Sequence, residues 1–156
     1  MLGRLLAVVA ASSVAGPAAP AEYVGDLQSE VFAVAGVTQA DIMSRGRTCM
    51  AERLASGVQG GELVISDGPA AVVARHVLAY RAGLVEWRVR SRVTFEAREG
   101  RFRITLTGVE RFHDAGGWGP IGKWAGSGSA GAERALRGVI DELAACVRTG
   151  ARLADF

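Results

Sequence analysis

Arginines in the segment from 87 to 106 form a pattern suited to binding. Guanidinium groups form paired hydrogen bonds with phosphate and carboxylate groups, so arginines gathered on one face of a sheet would attract an anion. The alternative is a solvated face that protects the sheet from aggregation through edge pairing. The candidate binding residues are Arg88, Arg90, Arg92, Arg98, Arg101 and Arg103.

The positions of these arginines predict that they share a face. Apolar residues alternate before and after Glu99-Gly100, which is typical of a two-residue hairpin turn between two strands. Paired positions would then sum to 199, so that Phe95 faces Ile104 on the buried side. On the other side all six arginines point the same way, and Glu96 is the one residue that clearly offsets their charge.

A second candidate binding group follows in a glycine-rich stretch. Trp118 and Trp124 flank Lys123, and exposed tryptophans stack on sugars or anchor partner proteins. The alternative is that both rings fold back and close the end of the hydrophobic core.

The same stretch contains two patterns known from phosphate-binding loops. Gly117 to Lys123 has the spacing G-x-x-x-x-G-K, but Trp124 occupies the position where a Ser or Thr hydroxyl binds magnesium. Residues 126–131 have the spacing G-x-G-x-x-G, but no strand follows to complete a dinucleotide-binding unit. A flexible linker is the better interpretation of both patterns.

Acid–base chemistry has one candidate group. His113 and Asp114 are adjacent, with Glu110 three residues before them, and a small hydrolase or metal-dependent enzyme would need such side chains. The two histidines, His76 and His113, lack the spacing of metal ligands. We therefore expect no catalytic residues, no metal and no cofactor.

The N-terminus predicts export. Arg4 precedes a short apolar run, and Ala19-Pro20-Ala21 has the form that signal peptidase recognises. The run is too short to span a bilayer, and we expect no transmembrane segment in the mature chain. Export to the periplasm or the medium, together with a net charge of only +2, argues against a nucleic-acid partner. An anionic envelope ligand or a protein partner remains.

Export also favours a disulfide between the two cysteines, Cys49 and Cys146. Neither has the CxxC spacing of a metal site, and each lies in an amphipathic helical pattern rather than in the basic, exposed setting of a catalytic thiol. If both helices cover the same sheet face, one bond would join them.

The remaining patterns give a two-layer α+β fold, in which an antiparallel meander sheet has two helices packed on one face (order β-α-β-β-β-β-α). A composition of 49% hydrophobic and 22% charged residues excludes a disordered chain. Strands are predicted at 30–35, from Val64-Ile65 to the turn Asp67-Gly68-Pro69, at 72–80 and on both sides of Glu99-Gly100. Helices are predicted from the Thr38 cap to Ala55 and from 131 to 149. Arg81-Ala82-Gly83 is predicted to turn the chain.

VFAVAGVTQADI and EGRFRITLTGV resemble a bacterial family, the domain of unknown function 4468. The resemblance covers about Val31 to Phe112. It implies a fold like that of the TATA-box-binding protein (TBP-like) and an exported protein, and it brings no catalytic residues. The family often has an aromatic residue at the position of Cys49, a difference that favours an added disulfide.

These observations predict an exported, non-catalytic binding or interaction module. The alternatives are a small hydrolase or metal-dependent enzyme at His113 and Asp114, and a purely structural accessory protein. The predicted organisation is a cleaved signal peptide (1–21), an N-terminal linker (22–29), a TBP-like core (30–112), a glycine-rich loop (113–130), a C-terminal helix (131–149) and a frayed tail (150–156).

Overall fold

The computed structural model describes residues 22–55 and 63–150. The predicted signal peptide and all but the first residue of the predicted tail lie outside the described residues. The elements are β1 (Leu27–Gln28), β2 (Phe32–Ala33), α1 (Gln39–Leu54), β3 (Val64–Asp67), β4 (Ala71–Ala82), β5 (Val85–Arg98), β6 (Arg101–His113), β7 (Gly117–Gly119) and α2 (Ser129–Thr149).

The strands form one antiparallel sheet in the order β1-β6-β5-β4-β3, and β2 and β7 also pair with β6. Both helices pack on the same face of this sheet, as predicted. The core between the layers contains fully buried side chains from the helices and from the central strands. The largest of them include Ile42, Met43, Met50, Phe95, Phe102, Ile104, Leu136 and Leu143.

The start of α1 is fixed by two side chains. Thr38 Oγ1 accepts a hydrogen bond from the Asp41 amide at 3.2 Å, which confirms the predicted cap. Glu99 Oε2, in the turn between β5 and β6, accepts from the Gln39 amide at 3.0 Å. An acidic group at a helix N-terminus also interacts favourably with the helix dipole, so the turn and the helix hold each other in place.

The predicted disulfide is confirmed. Cys49 of α1 and Cys146 of α2 are bonded, both are buried, and their Cα atoms lie 5.9 Å apart. The bond joins the two helices of one layer across 97 residues of sequence.

The predicted hairpin register is right between Arg92 and Thr107 and wrong beyond them. Phe95 pairs with Ile104 and Glu96 with Arg103, as predicted, but Arg90 pairs with Glu110. The cause is a bulge in which Gly108, at φ 61°, adds one residue to β6. A glycine with positive φ is the usual first residue of such a bulge.

Short strands account for two further corrections. Residues 22–29 were predicted as a linker, but Leu27–Gln28 pair with β6. The glycine-rich loop was predicted to lack regular structure, but Gly117–Gly119 also pair with β6. Strands of two or three residues are too short to show an alternating pattern in the sequence.

The remaining differences concern where elements begin and end. The predicted strand 30–35 is reduced to Phe32–Ala33. The turn after β4 consists of Gly83-Leu84 rather than residues 81–83, because Ala82 pairs with Val85. The C-terminal helix begins at Ser129 rather than at residue 131.

Candidate anion-binding face

We call the sheet surface opposite the helices the open face. It carries the even-numbered residues of β5 from 88 to 98 and the residues that pair with them on β4 and β6. The residues between them, such as Val89, Val93 and Phe95, point into the core. The structure places all six predicted arginines on the open face, as the alternation of a strand requires.

A seventh arginine, missed from the sequence, lies on the same face. Arg75 of β4 is exposed and pairs directly with Arg92, which pairs in turn with Thr107. The neighbours of Arg75 along the strand, Ala74 and His76, are buried. This alternation of buried and exposed residues places Arg75 on the open face, but the sequence of β4 has apolar residues on both faces and gives no clear signal of it.

Two of the arginines are neutralised by glutamates. Arg103 lies 2.6 Å from Glu96, and Arg90 lies 2.6 Å from Glu110. Glu110 reaches the open face because the bulge at Gly108 shifts the register, so the prediction that Glu96 alone offsets the arginines was wrong.

Aromatic rings cover one end of the open face. The Arg88 guanidinium lies 4.3 Å from the centre of the Phe112 ring, and that of Arg90 lies 4.7 Å from the Trp118 ring. Phe112 and Trp118 contact each other edge to face at 5.4 Å. Since an arginine lies over the Trp118 ring, that ring supports the arginines and does not close the core.

Five arginines of the open face have no carboxylate within 4 Å among the described residues. They are Arg75, Arg88, Arg92, Arg98 and Arg101. These five side chains do not pack in the core, and none of them forms an ion pair with an acidic side chain among the described residues.

The turn end of the open face is concave. A depression of about 290 Å³ is lined by Val31, Glu96, Phe102 and three arginines, Arg98, Arg101 and Arg103. Gln28 of β1 borders this end, and its side-chain amide faces the Arg103 guanidinium.

The other predicted binding residues lie elsewhere. Lys123 is hydrogen bonded to Glu22 and Glu133, and these bonds raise the pKa of the Lys123 ammonium group. The Trp124 side chain is 61% exposed and its ring lies against Gly122. The first glycine pattern forms no phosphate loop, because α2 begins at Ser129 and not at Lys123. The second pattern runs into the start of α2, but no strand follows that helix among the described residues.

The predicted acid–base group is not assembled. Glu110 points to the open face and is bound to Arg90, whereas His113, an odd number of residues further along β6, points to the opposite side, near Trp87. Within residues 22–55 and 63–150, no three His, Cys, Asp or Glu side chains are grouped so as to hold a metal ion. No helix of the described ranges has the length and apolar character needed to cross a membrane.

No protein-family profile matches the sequence, and no curated protein matches it. Among solved structures, the chain is similar to a DUF4468 family protein from Bacteroides ovatus ATCC 8483, with a TM-score of 0.59, 14% identity and coverage of 78% of this chain and 85% of that one. It is also similar to a TBP-like protein from Parabacteroides distasonis ATCC 8503, with a TM-score of 0.64, 4% identity and coverage of 80% and 93%. The fold is therefore TBP-like, and the resemblance to DUF4468 is confirmed at the level of the fold.

Proposed function

We propose that this protein is an exported binding module that holds an anionic ligand on the open face and catalyses no reaction. The observation that carries the proposal is the set of five arginines on that face without a carboxylate partner among the described residues. Like charges side by side on a sheet repel one another. An anion would relieve this repulsion and form charge-assisted hydrogen bonds with the guanidinium groups.

Export is supported by two independent features. The first 21 residues have the organisation of a signal peptide. A buried disulfide joins the helices, and disulfides persist mainly in oxidising compartments outside the cytosol. Intact mass of the protein recovered from the periplasm or medium should correspond to a chain that begins at Glu22. Recovery of unprocessed protein from the cytosol would contradict export.

The binding proposal is tested by removing unpaired charge from the open face. We expect the triple variant Arg92→Gln, Arg98→Gln and Arg101→Gln to lose the thermal stabilisation that anions give the native protein. The panel would contain inorganic phosphate, dextran sulfate, polygalacturonate and vesicles of anionic lipid. A ligand at about 100 times its dissociation constant adds about 2.7 kcal/mol, which is a shift of several degrees for a domain of this size.

A matched control separates the open face from charge in general. The variant Arg53→Gln, Arg134→Gln and Arg137→Gln removes the same charge from exposed positions of α1 and α2. This control should keep the stabilisation. Equal losses in both variants would mean nonspecific attraction, and no loss in the first variant would overturn the proposed function.

A further inference from the structure

We propose that Arg75 and Arg92 form the central subsite of the open face and that this subsite takes the dianion of a phosphomonoester. This inference rests on the proposed function and adds to it the position of the ligand and its chemical class.

The backbone brings these two side chains close together. Antiparallel strands alternate between hydrogen-bonded pairs and non-hydrogen-bonded pairs, and the second kind has Cα atoms about 4.5 Å apart. The Arg75 amide donates to the Leu63 carbonyl of the chain entering β3, at 2.8 Å, and not to β5. Arg75 and Arg92 are therefore a non-hydrogen-bonded pair, the kind in which side chains lie closer.

The neighbours of this pair leave its charge uncompensated. On the β4 side lie Val73 and Val77, and on the β5 side lie Thr94 and Arg90. The two glutamates of the open face are already engaged, since Glu110 is bound to Arg90 and Glu96 to Arg103. Two full positive charges thus stand side by side on an exposed surface.

The charge and the hydrogen-bond donors together define the ligand class. A phosphomonoester carries a charge of about −1.5 to −2 at pH 7 and has three acceptor oxygens. It can neutralise both guanidinium groups, whereas a carboxylate or a sulfate ester carries a single charge. Thr107, which pairs with Arg92 on the open face, offers a hydroxyl to the same group.

The experiment is a calorimetric titration of the protein, purified with its disulfide intact, with glycerol 3-phosphate, methyl sulfate and acetate. We expect only the phosphomonoester to bind measurably. Because its second pKa is about 6, its affinity should rise by about 10-fold between pH 5 and pH 7.5. Equal binding of methyl sulfate, or affinity that is flat with pH, would overturn the proposal.

Paired variants distinguish this proposal from the proposed function. Arg75→Gln with Arg92→Gln should weaken binding at least 10-fold, whereas Arg98→Gln with Arg101→Gln should change it less than threefold. If only the second pair mattered, the open face would still bind anions but the assignment to Arg75 and Arg92 would be wrong. If neither pair mattered, both proposals would fail.

A second experiment, with lipid vesicles, distinguishes two sources of the phosphomonoester, a membrane surface and a free ligand. Vesicles containing phosphatidic acid present a phosphomonoester, and vesicles containing phosphatidylglycerol present a phosphodiester. Cosedimentation with the first alone, lost in the Arg75 and Arg92 variant, would identify a membrane surface as the source. Binding of soluble glycerol 3-phosphate without cosedimentation would identify a free ligand. Equal cosedimentation with both would contradict the proposed class.

Discussion

Arginines that look equivalent in the sequence differ in the structure. Arg90 and Arg103 each have a glutamate at 2.6 Å, whereas Arg92 has another arginine as its direct neighbour on β4. An exposed ion pair contributes only about 0–1 kcal/mol to stability, but it reduces the charge available to a ligand. The unpaired arginines should therefore dominate binding, and substitutions of Arg90 or Arg103 should weaken it less.

Arg111 shows how a one-residue shift of register within β6 changes the role of a side chain. The bulge at Gly108 turns its side chain into the protein, where it is 4% exposed. Its guanidinium lies 4.2 Å from the centre of the Trp87 ring and donates to the Ser127 carbonyl just before α2. This arginine supports the start of the helix and takes no part in the open face.

His76 gives the protein a predicted weakness in acid. It is buried on the helix side of β4, where desolvation lowers its pKa to about 4. Above pH 6.5 the imidazole of His76 is neutral in the folded and in the unfolded protein. Below pH 6.5 it is protonated in the unfolded chain but stays neutral in the folded protein down to about pH 4. The free energy of unfolding should fall over this window, by on the order of 3 kcal/mol.

Urea unfolding between pH 4 and pH 7.5 measures this effect. His76→Leu replaces the titrating group with an apolar side chain that suits the buried position. The stability of this variant should therefore depend less on pH over the same window. If the native protein and the variant had parallel pH profiles, His76 would not be the source of the acid sensitivity.

Packing of α1 on β5 depends on a glycine. A Cβ atom at Gly46 would overlap the ring of Phe95, which is itself fully buried. Gly46→Ala should therefore destabilise the protein by about 1–3 kcal/mol through overpacking, despite alanine's better helix propensity. Gly138→Ala in α2 is the matched control, because nothing lies within 4 Å of its Cβ position.

Thermal or urea unfolding of the Gly46→Ala and Gly138→Ala variants tests whether overpacking at Gly46 destabilises the protein. Gly138→Ala should raise stability by about 0.5–1 kcal/mol, as expected for a helical position free of contacts. A Gly46→Ala variant as stable as the native protein would mean that α1 can move away from β5 at no cost.

Local patterns predicted the elements that repeat over many residues. The alternation around Glu99-Gly100 fixed the pairing from Arg98 to Thr107, because a shift of one residue would expose Phe95 and Ile104. The bulge was missed because a lone glycine in a strand does not reveal its own φ, although Gly108 was a signal for one. Arg75 was missed because valines and alanines lie on both faces of the strand from 72 to 80, so its sequence does not show which face is buried.

The disulfide acts on the whole molecule. It closes a loop of 97 residues between the two helices, and the chain-entropy treatment gives a stabilisation of about 4–5 kcal/mol for a loop of this size. This is a large part of the 5–15 kcal/mol typical of a domain. Cys49→Ala with Cys146→Ala should therefore lose several kcal/mol and unfold at markedly lower temperature.

Urea unfolding of the native protein with and without reductant provides the comparison. Reduction should bring the native protein to the stability of the double variant and leave the variant unchanged. Equal stability of the oxidised and reduced forms would contradict a stabilising role for the bond.

The two helices, joined by the disulfide, form a layer on one side of the sheet, and the open face lies on the other side. Under the proposed function the ligand would lie on strands that the core holds in register, so anion binding should require little rearrangement. The division between these two sides also explains why the site was only partly predictable. Each strand pattern assigns residues to a face, but which charges are neutralised depends on pairings between strands.

The most direct measurement is an NMR titration of the disulfide-bonded protein with inorganic phosphate, following the Nε–H signals of its arginines. We expect Arg75, Arg92 and their neighbours on the open face to shift together and to saturate, and Arg134 and Arg137 on α2 to remain unchanged. Shifts confined to the helices, or uniform small shifts of all arginines, would contradict the claim that the open face is a binding site.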